Sequence, residues 1–110
     1  GHGFWSLLSR SGSPSLIETP RGFPLGIVEN ADYEVGEHAF GVGDCLVLYS
    51  DGAVEQPCPA GHQFGLDAVH ASLAVADTPQ SAVRTLVTAI REHACGDLAD
   101  DLTVASIWCI

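Results

Sequence analysis

Short apolar runs separated by turn residues make up the first part of the chain. FWSLLS (residues 4–9) and SLIE (15–18) flank the turn residues Ser-Gly-Ser-Pro (11–14). Two apolar runs joined in this way predict a β-hairpin. The segment that follows, TPRGFPLGIVEN (19–30), is rich in proline and glycine and predicts an ordered loop.

A second hairpin is predicted between residues 33 and 50. YEVGEHAF (33–40) and CLVLYS (45–50) are strand-like runs, and GVGD (41–44) lies between them. Because the two glycines of GVGD connect strands and do not open a helix, they do not predict a dinucleotide-binding loop. We therefore expect the two runs to pair as antiparallel neighbours.

The pattern changes to helical spacing in the second half of the chain. A helix over 66–75 is predicted by three apolar residues on one face, Leu66, Val69 and Leu73. A longer helix follows, with Thr78 as its N-cap, Pro79 at its first position and Gly96 beyond its end. Its apolar stripe consists of Val83, Leu86, Val87, Ile90 and Ala94.

The last element predicted is a strand, LTVASIWCI (102–110). Its apolar residues are nearly continuous, so we expect it to lie in the centre of a sheet. The order of strands, two helices and one closing strand predicts a layered α+β domain. At this length, residues 1–110 form one domain or a portion of one.

The charge balance excludes two classes of partner. The chain has 14 acidic residues, four arginines, no lysine and a formal net charge of −10. Nucleic acids and anionic membranes are bound through clustered basic residues, so we expect neither as a partner. No apolar run approaches the ~20 residues that span a bilayer. Excess negative charge is compatible with the recruitment of divalent cations, although it does not prove it.

The cysteines show no metal-binding spacing. Cys45 and Cys109 lie within apolar runs, and Cys58 and Cys95 form no CxxC or Cys/His pattern with them. We therefore predict free thiols, no disulfide framework and a reducing, cytoplasmic location.

Acidic residues at two places differ from the rest, which fit turns and exposed faces. Asp51 ends a predicted buried strand, and Asp100-Asp101 immediately precede another. If these strands are neighbours in one sheet, the carboxylates meet at one edge and require a cation or raised pKa values. Mg²⁺ and Mn²⁺ prefer such oxygen ligands. From spacing alone, the favoured interpretation is that these aspartates only form turns, and the metal site is the alternative.

Several motifs occur in an order that resembles a known family. They are LYSDGAVE (48–55), FGLDAV (64–69) and ADDLTVASIW (99–108), with GHGFWSLLSRSG (1–12) and GFPLGI (22–27) before them. Together they resemble the metal-dependent PP2C-type (PPM) serine/threonine phosphatases, most closely the bacterial SpoIIE/RsbU-like branch. Each motif is weakly specific, whereas the ordered set covers essentially the whole chain.

The resemblance implies roles for particular residues. Asp51 and Asp100 match metal-binding aspartates of the family, and Asp101 stands where related phosphatases often carry asparagine, so it ranks lower as a ligand. Thr103 is either a residue that orients this turn by hydrogen bonding or an ordinary strand threonine. Glu55 is expected to be structural. No role is carried over to the histidines, which we expect to be exposed or hydrogen-bonded: His38, His62, His70 and His93.

The resemblance also implies a fold and a reaction. The fold is an antiparallel β-sandwich flanked by helices, in αββα layers. Two Mn²⁺ or Mg²⁺ ions activate a water that hydrolyses phosphoserine or phosphothreonine, without a covalent intermediate. In the bacterial branch the usual phosphoprotein substrate is an anti-sigma-factor antagonist.

One departure from the family limits this prediction. The family's N-terminal half supplies further metal ligands, including an aspartate before a Gly-His-Gly turn. No aspartate precedes residues 1–3 here, and a strand follows them in place of a long helix. We therefore predict that the chain is the C-terminal half of the domain, with an uncovered face that requires a missing segment, a partner or self-association. A non-catalytic phosphatase-like regulatory module and a plain α+β domain remain the alternatives.

Overall fold

The computed structural model describes residues 3–10, 12–17 and 22–110. Within them, four strands form an antiparallel sheet in the order β2-β1-β3-β4. The predicted α+β class is confirmed. The elements in chain order are β1 (Phe4–Leu8), β2 (Ser15–Leu16), β3 (Cys45–Tyr49), α1 (Asp51–Glu55), α2 (Gly65–Ala74), α3 (Pro79–Ala94) and β4 (Val104–Trp108).

The first predicted hairpin is present in the sheet. Strand β1 pairs with β2, with Ser6 opposite Leu16 and Leu7 opposite Ser15. The predicted second strand extended to Glu18, and the predicted loop began at residue 19; residues 18–21 lie outside the described residues, as does Ser11.

The second predicted hairpin is wrong. Residues 33–40 form no strand, and β3 pairs instead with β1 on one side and β4 on the other. Because both edges of β3 are occupied, no backbone groups remain there for residues 33–40 to pair with. Side chains in this segment are accordingly exposed, Val35 by 84%. The GVGD turn itself forms, with the Asp44 N–H donating to the Gly41 carbonyl at 2.9 Å.

The apolar sequence of β4 predicts a central strand, and this prediction is wrong. Among the described strands, β4 lies at the edge of the sheet. Its one neighbour among the described strands is β3. Alternate residues are half-buried against the helices, and the residues between them, Ala105 and Ile107, are exposed. The continuous apolar run therefore reflects a second apolar face that the described residues do not cover.

Both long helices form as their sequence signals predict. Leu73 and Val69 of α2 are fully buried. Helix α3 begins with a capping box, in which the Thr78 hydroxyl accepts from the Ser81 N–H and the Ser81 hydroxyl accepts from the Thr78 N–H. It ends at Ala94, and the C-cap residue Cys95 adopts a left-handed conformation that turns the chain back. Within the described part of the chain, no helix is long and apolar enough to cross a membrane.

The helices cover one face of the sheet and form the core with it. Side chains of β3 that point to this face are buried, and they pack against buried residues of α2 and α3. Removing these side chains from water is the main stabilising contribution. The core comprises Cys45, Val47, Tyr49, Ala53, Val69, Leu73, Ala82, Leu86 and Ile90.

The opposite face of the sheet is apolar and has no second layer among the described residues. In the strand register, Trp5 aligns with Leu48 and Ala105, and Leu7 aligns with Leu46 and Ile107. Trp5 is 39% exposed and Ile107 51% exposed. We call these six residues the open face: Trp5, Leu7, Leu46, Leu48, Ala105 and Ile107.

A buried polar network crosses the core. The Ser6 hydroxyl lies 2.7 Å from the Tyr49 hydroxyl and 3.0 Å from Nε2 of His70, so three elements are tied together. Burial raises the pKa of the Tyr49 hydroxyl above its ordinary value of 10.0, and the hydrogen bond with Ser6 opposes the rise. The buried hydroxyl is therefore favoured in its neutral form.

We predict that Tyr49→Phe flattens the loss of stability at alkaline pH. Because the pKa of Tyr49 is raised on folding, the unfolded chain ionises first; the stability is complete below pH 10 and is lost as pH rises above it. Burial likewise raises the pKa of the Cys45 thiol. The free energy of unfolding of the variant should therefore still fall with rising pH, with a smaller slope than that of the wild type. Urea unfolding between pH 8 and 11 measures this. Tyr33→Phe, which alters an exposed ring, should keep the wild-type slope; equal slopes in all three proteins would contradict the prediction.

Candidate metal centre

The pairing of β3 with β4 brings the predicted metal ligands to one edge of the sheet. The last pair of the ladder is Tyr49 with Val104. Beyond it, the Ser50 N–H donates to the Thr103 carbonyl at 3.0 Å, which extends the pairing by one residue. Asp51 directly follows Ser50 on one strand, and Asp101 lies two residues before Thr103 on the other. The two predicted strands are therefore neighbours, the condition on which the shared edge depended.

Asp51 begins a short helix, which the sequence analysis did not predict. The chain continues from β3 into α1 and does not simply turn. Ser50 is the N-cap residue, with extended backbone angles. The half-buried Asp51 carboxylate accepts the Gly52 N–H through Oδ1 at 3.1 Å, and a carboxylate in the first turn suits the helix dipole.

Gly52 is required because segment 99–103 passes directly over it. A β-carbon on this buried glycine would overlap the Asp101 carbonyl oxygen and would lie 3.7 Å from Cβ of Asp100. Because Gly52 lies within α1, no turn conformation requires a glycine there. Its role is to leave space for segment 99–103, which a larger side chain would fill. The contact also places Asp100 next to the start of α1.

Ser50 joins the two sides of the site through its hydroxyl group. Its Oγ donates to the Asp101 carbonyl at 3.2 Å and accepts the Thr103 N–H at 3.1 Å. Thr103 had been considered as a residue that orients this turn, and the structure shows that its backbone N–H and carbonyl contact Ser50. Sequence reasoning missed the role of Ser50, whose partners lie far along the chain.

Gln56 holds the same segment at the other end of α1. Its buried side chain accepts the Ala99 N–H through Oε1 at 3.0 Å and donates through Nε2 to the Pro57 carbonyl at 2.9 Å. Its backbone carbonyl accepts the Phe64 N–H at 2.8 Å. Segment 99–103 is thus held by Gln56 at one end and by Ser50 at the other, and Asp101 in its middle contacts Gly52 of α1. This role was also missed, and nothing in the local sequence indicates it.

The carboxylates differ in their exposure. Asp100 and Asp101 are exposed, and Oδ1 of Asp100 accepts the Asp101 N–H at 2.7 Å. A cavity of about 490 Å³ opens beside these two aspartates. Glu55 is exposed at the end of α1, at a distance of one helical turn from Asp51.

The donor chemistry fits a hard divalent cation, although the ligand set is partial. Among the residues that the structure describes, no three His, Cys, Asp or Glu side chains come together as a metal-binding group. Mg²⁺ and Mn²⁺ bind carboxylate oxygens and retain several waters, so one or two carboxylates from the chain are compatible with them. Further protein ligands would have to come from outside the described residues.

The histidines take structural positions. His70 is hydrogen-bonded to Ser6, and Nε2 of His93 lies 2.8 Å from the His62 carbonyl while its ring contacts Phe64 edge-on. The side chains of His38 and His62 are exposed. The prediction of exposed or hydrogen-bonded histidines is confirmed.

Comparison with known proteins identifies the family. The family model of Stage II sporulation protein E (SpoIIE) matches residues 1–108. This chain therefore belongs to the SpoIIE family, and the resemblance to a SpoIIE/PP2C-like phosphatase domain is confirmed. No curated protein and no solved structure matches the chain.

We predict that Gly52→Ala destabilises the protein by about 1–3 kcal/mol, the usual cost of overpacking. Alanine favours helices by about 1 kcal/mol over glycine, so without the contact to Asp101 the variant would be stabilised. Urea unfolding measures the change in the free energy of unfolding and so shows whether the variant is destabilised or stabilised. Gly96→Ala is the matched control, because no heavy atom lies within 4 Å of its added β-carbon. A stabilised Gly52→Ala protein would show that segment 99–103 is not packed on α1.

Proposed function

We propose that the chain is the C-terminal half of a metal-dependent protein phosphatase that hydrolyses phosphoserine or phosphothreonine on a regulatory protein of the anti-sigma-factor-antagonist type. The observation that carries the proposal is the β3–β4 edge, where Asp51 and Asp100 lie on segments packed against each other. Membership of the SpoIIE family supports a phosphatase of PP2C-like type.

In this proposal Asp51 and Asp100 hold Mn²⁺ or Mg²⁺, and Asp101 is the third candidate ligand. Such cations, when bound, would lower the pKa of a water and neutralise charge on the phosphoryl group. The residues of this chain supply and orient the carboxylates: Ser50 and Gln56 fix the backbone on either side of Asp100. The remaining ligands are expected from the N-terminal half.

The open face supports the assignment to one half of a domain. Apolar residues in β1, β3 and β4 form a continuous surface without a second layer among the described residues. Exposed apolar surfaces of this kind are normally covered by other protein. We propose that the second sheet of an αββα sandwich covers it, self-association being the alternative. The exposed free thiol of Cys95 fits a reducing, cytoplasmic location.

A second candidate function is a non-catalytic phosphatase-like module that binds and regulates a partner protein. The partial ligand set favours it, because the described residues bring together no group of three metal-binding side chains. The two candidates differ in turnover. Release of inorganic phosphate from a phosphoserine peptide by the full-length protein that contains both halves of the domain, in the presence of Mn²⁺, supports the enzyme, and its absence despite Mn²⁺ binding supports the module.

We predict that the protein binds Mn²⁺ saturably and that Asp51→Asn weakens binding at least about tenfold, since an amide lacks the charge that a hard cation prefers. Isothermal titration calorimetry measures both affinities. Asp97→Asn is the matched control, because it removes one exposed carboxylate from the connection that precedes Asp100. Asp97→Asn should bind Mn²⁺ with the affinity of the wild type.

Two results would contradict the metal assignment. Equal affinities of wild type and Asp51→Asn would exclude Asp51 as a ligand. Equal weakening by Asp97→Asn would show that Mn²⁺ responds only to the overall negative charge.

A further inference from the structure

The end of helix α3 places Arg91 on the wall of the cavity that Asp100 and Asp101 also line. Cys95 adopts the left-handed conformation, and its N–H contacts the carbonyls of Arg91 and Glu92. The chain therefore reverses after α3, and residues 98–102 run alongside the last turns of the helix. The cavity of about 490 Å³ between them is lined by Val87 and Arg91 on one side and by residues 98–102 on the other.

Arg91 differs from the other arginines in its position. Arg10 follows β1 at the opposite end of the sheet and packs against Gly43. Arg84 lines a separate cavity with Pro79 and Ser106 near the start of α3. Arg21 lies outside the described residues. Of the arginines that the structure describes, Arg91 is thus the one that lines the cavity with Asp100 and Asp101.

The guanidinium group of Arg91 is available for a ligand. The side chain is exposed, and no ion pair or hydrogen bond links it to another residue in the described ranges. A phosphoryl dianion that approaches Asp100 and Asp101 meets two carboxylates on a protein of formal charge −10. A bound cation offsets part of this repulsion, and an arginine offers a planar pair of N–H donors that matches two phosphoryl oxygens.

We propose that Arg91 binds the phosphoryl group of the phosphoserine or phosphothreonine substrate in this cavity. The proposal rests on the proposed function, and it adds a binding residue that the family motifs do not contain. An alternative role for Arg91 is purely structural, because a cation in the last turn of a helix interacts favourably with the helix dipole. The structural role affects stability and leaves substrate affinity unchanged, so the two roles can be separated.

The test compares three variants: Arg91→Ala, Arg91→Lys and Arg84→Ala. Arg84 is the matched control, since it is exposed and lies about two turns earlier on the same helix. In the full-length protein that contains both halves of the domain, with Mn²⁺ present and a phosphoserine peptide as substrate, Arg91→Ala should raise KM about 10- to 100-fold, as expected for lost charged hydrogen bonds. Arg91→Lys should recover part of the loss, and Arg84→Ala should stay within about twofold of wild type.

Calorimetry with inorganic phosphate on the Mn²⁺-loaded protein provides a readout that does not depend on turnover. Wild type and Arg84→Ala should bind phosphate, and Arg91→Ala should bind it about 10-fold or more weakly. If the wild type binds phosphate through Arg91 but the full-length protein hydrolyses no peptide, the proposed phosphatase activity fails while the inference on Arg91 stands. Equal phosphate affinity in wild type and Arg91→Ala, or equal losses in the Arg91→Ala and Arg84→Ala proteins, would overturn the inference.

Discussion

The core and the candidate site are both positioned by the antiparallel pairing of β3 with β4. The ladder continues beyond both strands, through Ser50 with Thr103 at one end and through Asp44 with Cys109 at the other. A one-residue slip in this register would move every apolar side chain of β4 to the wrong face. It would also separate Asp51 from the segment that carries the other aspartates. Core packing and site geometry are therefore set by the same hydrogen bonds.

The two faces of the sheet have different consequences for function. The helix-covered face forms the core and fixes α1 and the end of α3, between which segment 99–103 passes. The open face exposes apolar side chains, and none of the other elements that the structure describes packs on it. We propose that this site, built from one sheet edge and from elements on one face, is half of a larger centre whose other ligands come from the second half of the domain.

Local patterns predicted most of the elements, and long-range pairing explains what they missed. The Thr78 cap and the spacing of apolar residues located both long helices, because those signals lie within a few residues of each other. The expectation of a strand over 33–40 failed because the neighbours of β3 come from distant parts of the chain. Family motifs pointed to Asp51 and Asp100. They did not point to Gln56, whose partner lies 43 residues away and whose contact no local pattern contains.

Paramagnetic broadening of amide NMR signals by Mn²⁺ would locate a cation bound at this end of the sheet. Substoichiometric Mn²⁺ should broaden the amide signals of residues 51–52 and 99–103 first, because both segments lie at the same sheet edge. The signals of Gly43 and Asp44, at the other end of the β3–β4 ladder, should remain sharp. Broadening confined to other acidic positions, such as Glu34 and Glu37, would contradict a metal centre at this edge.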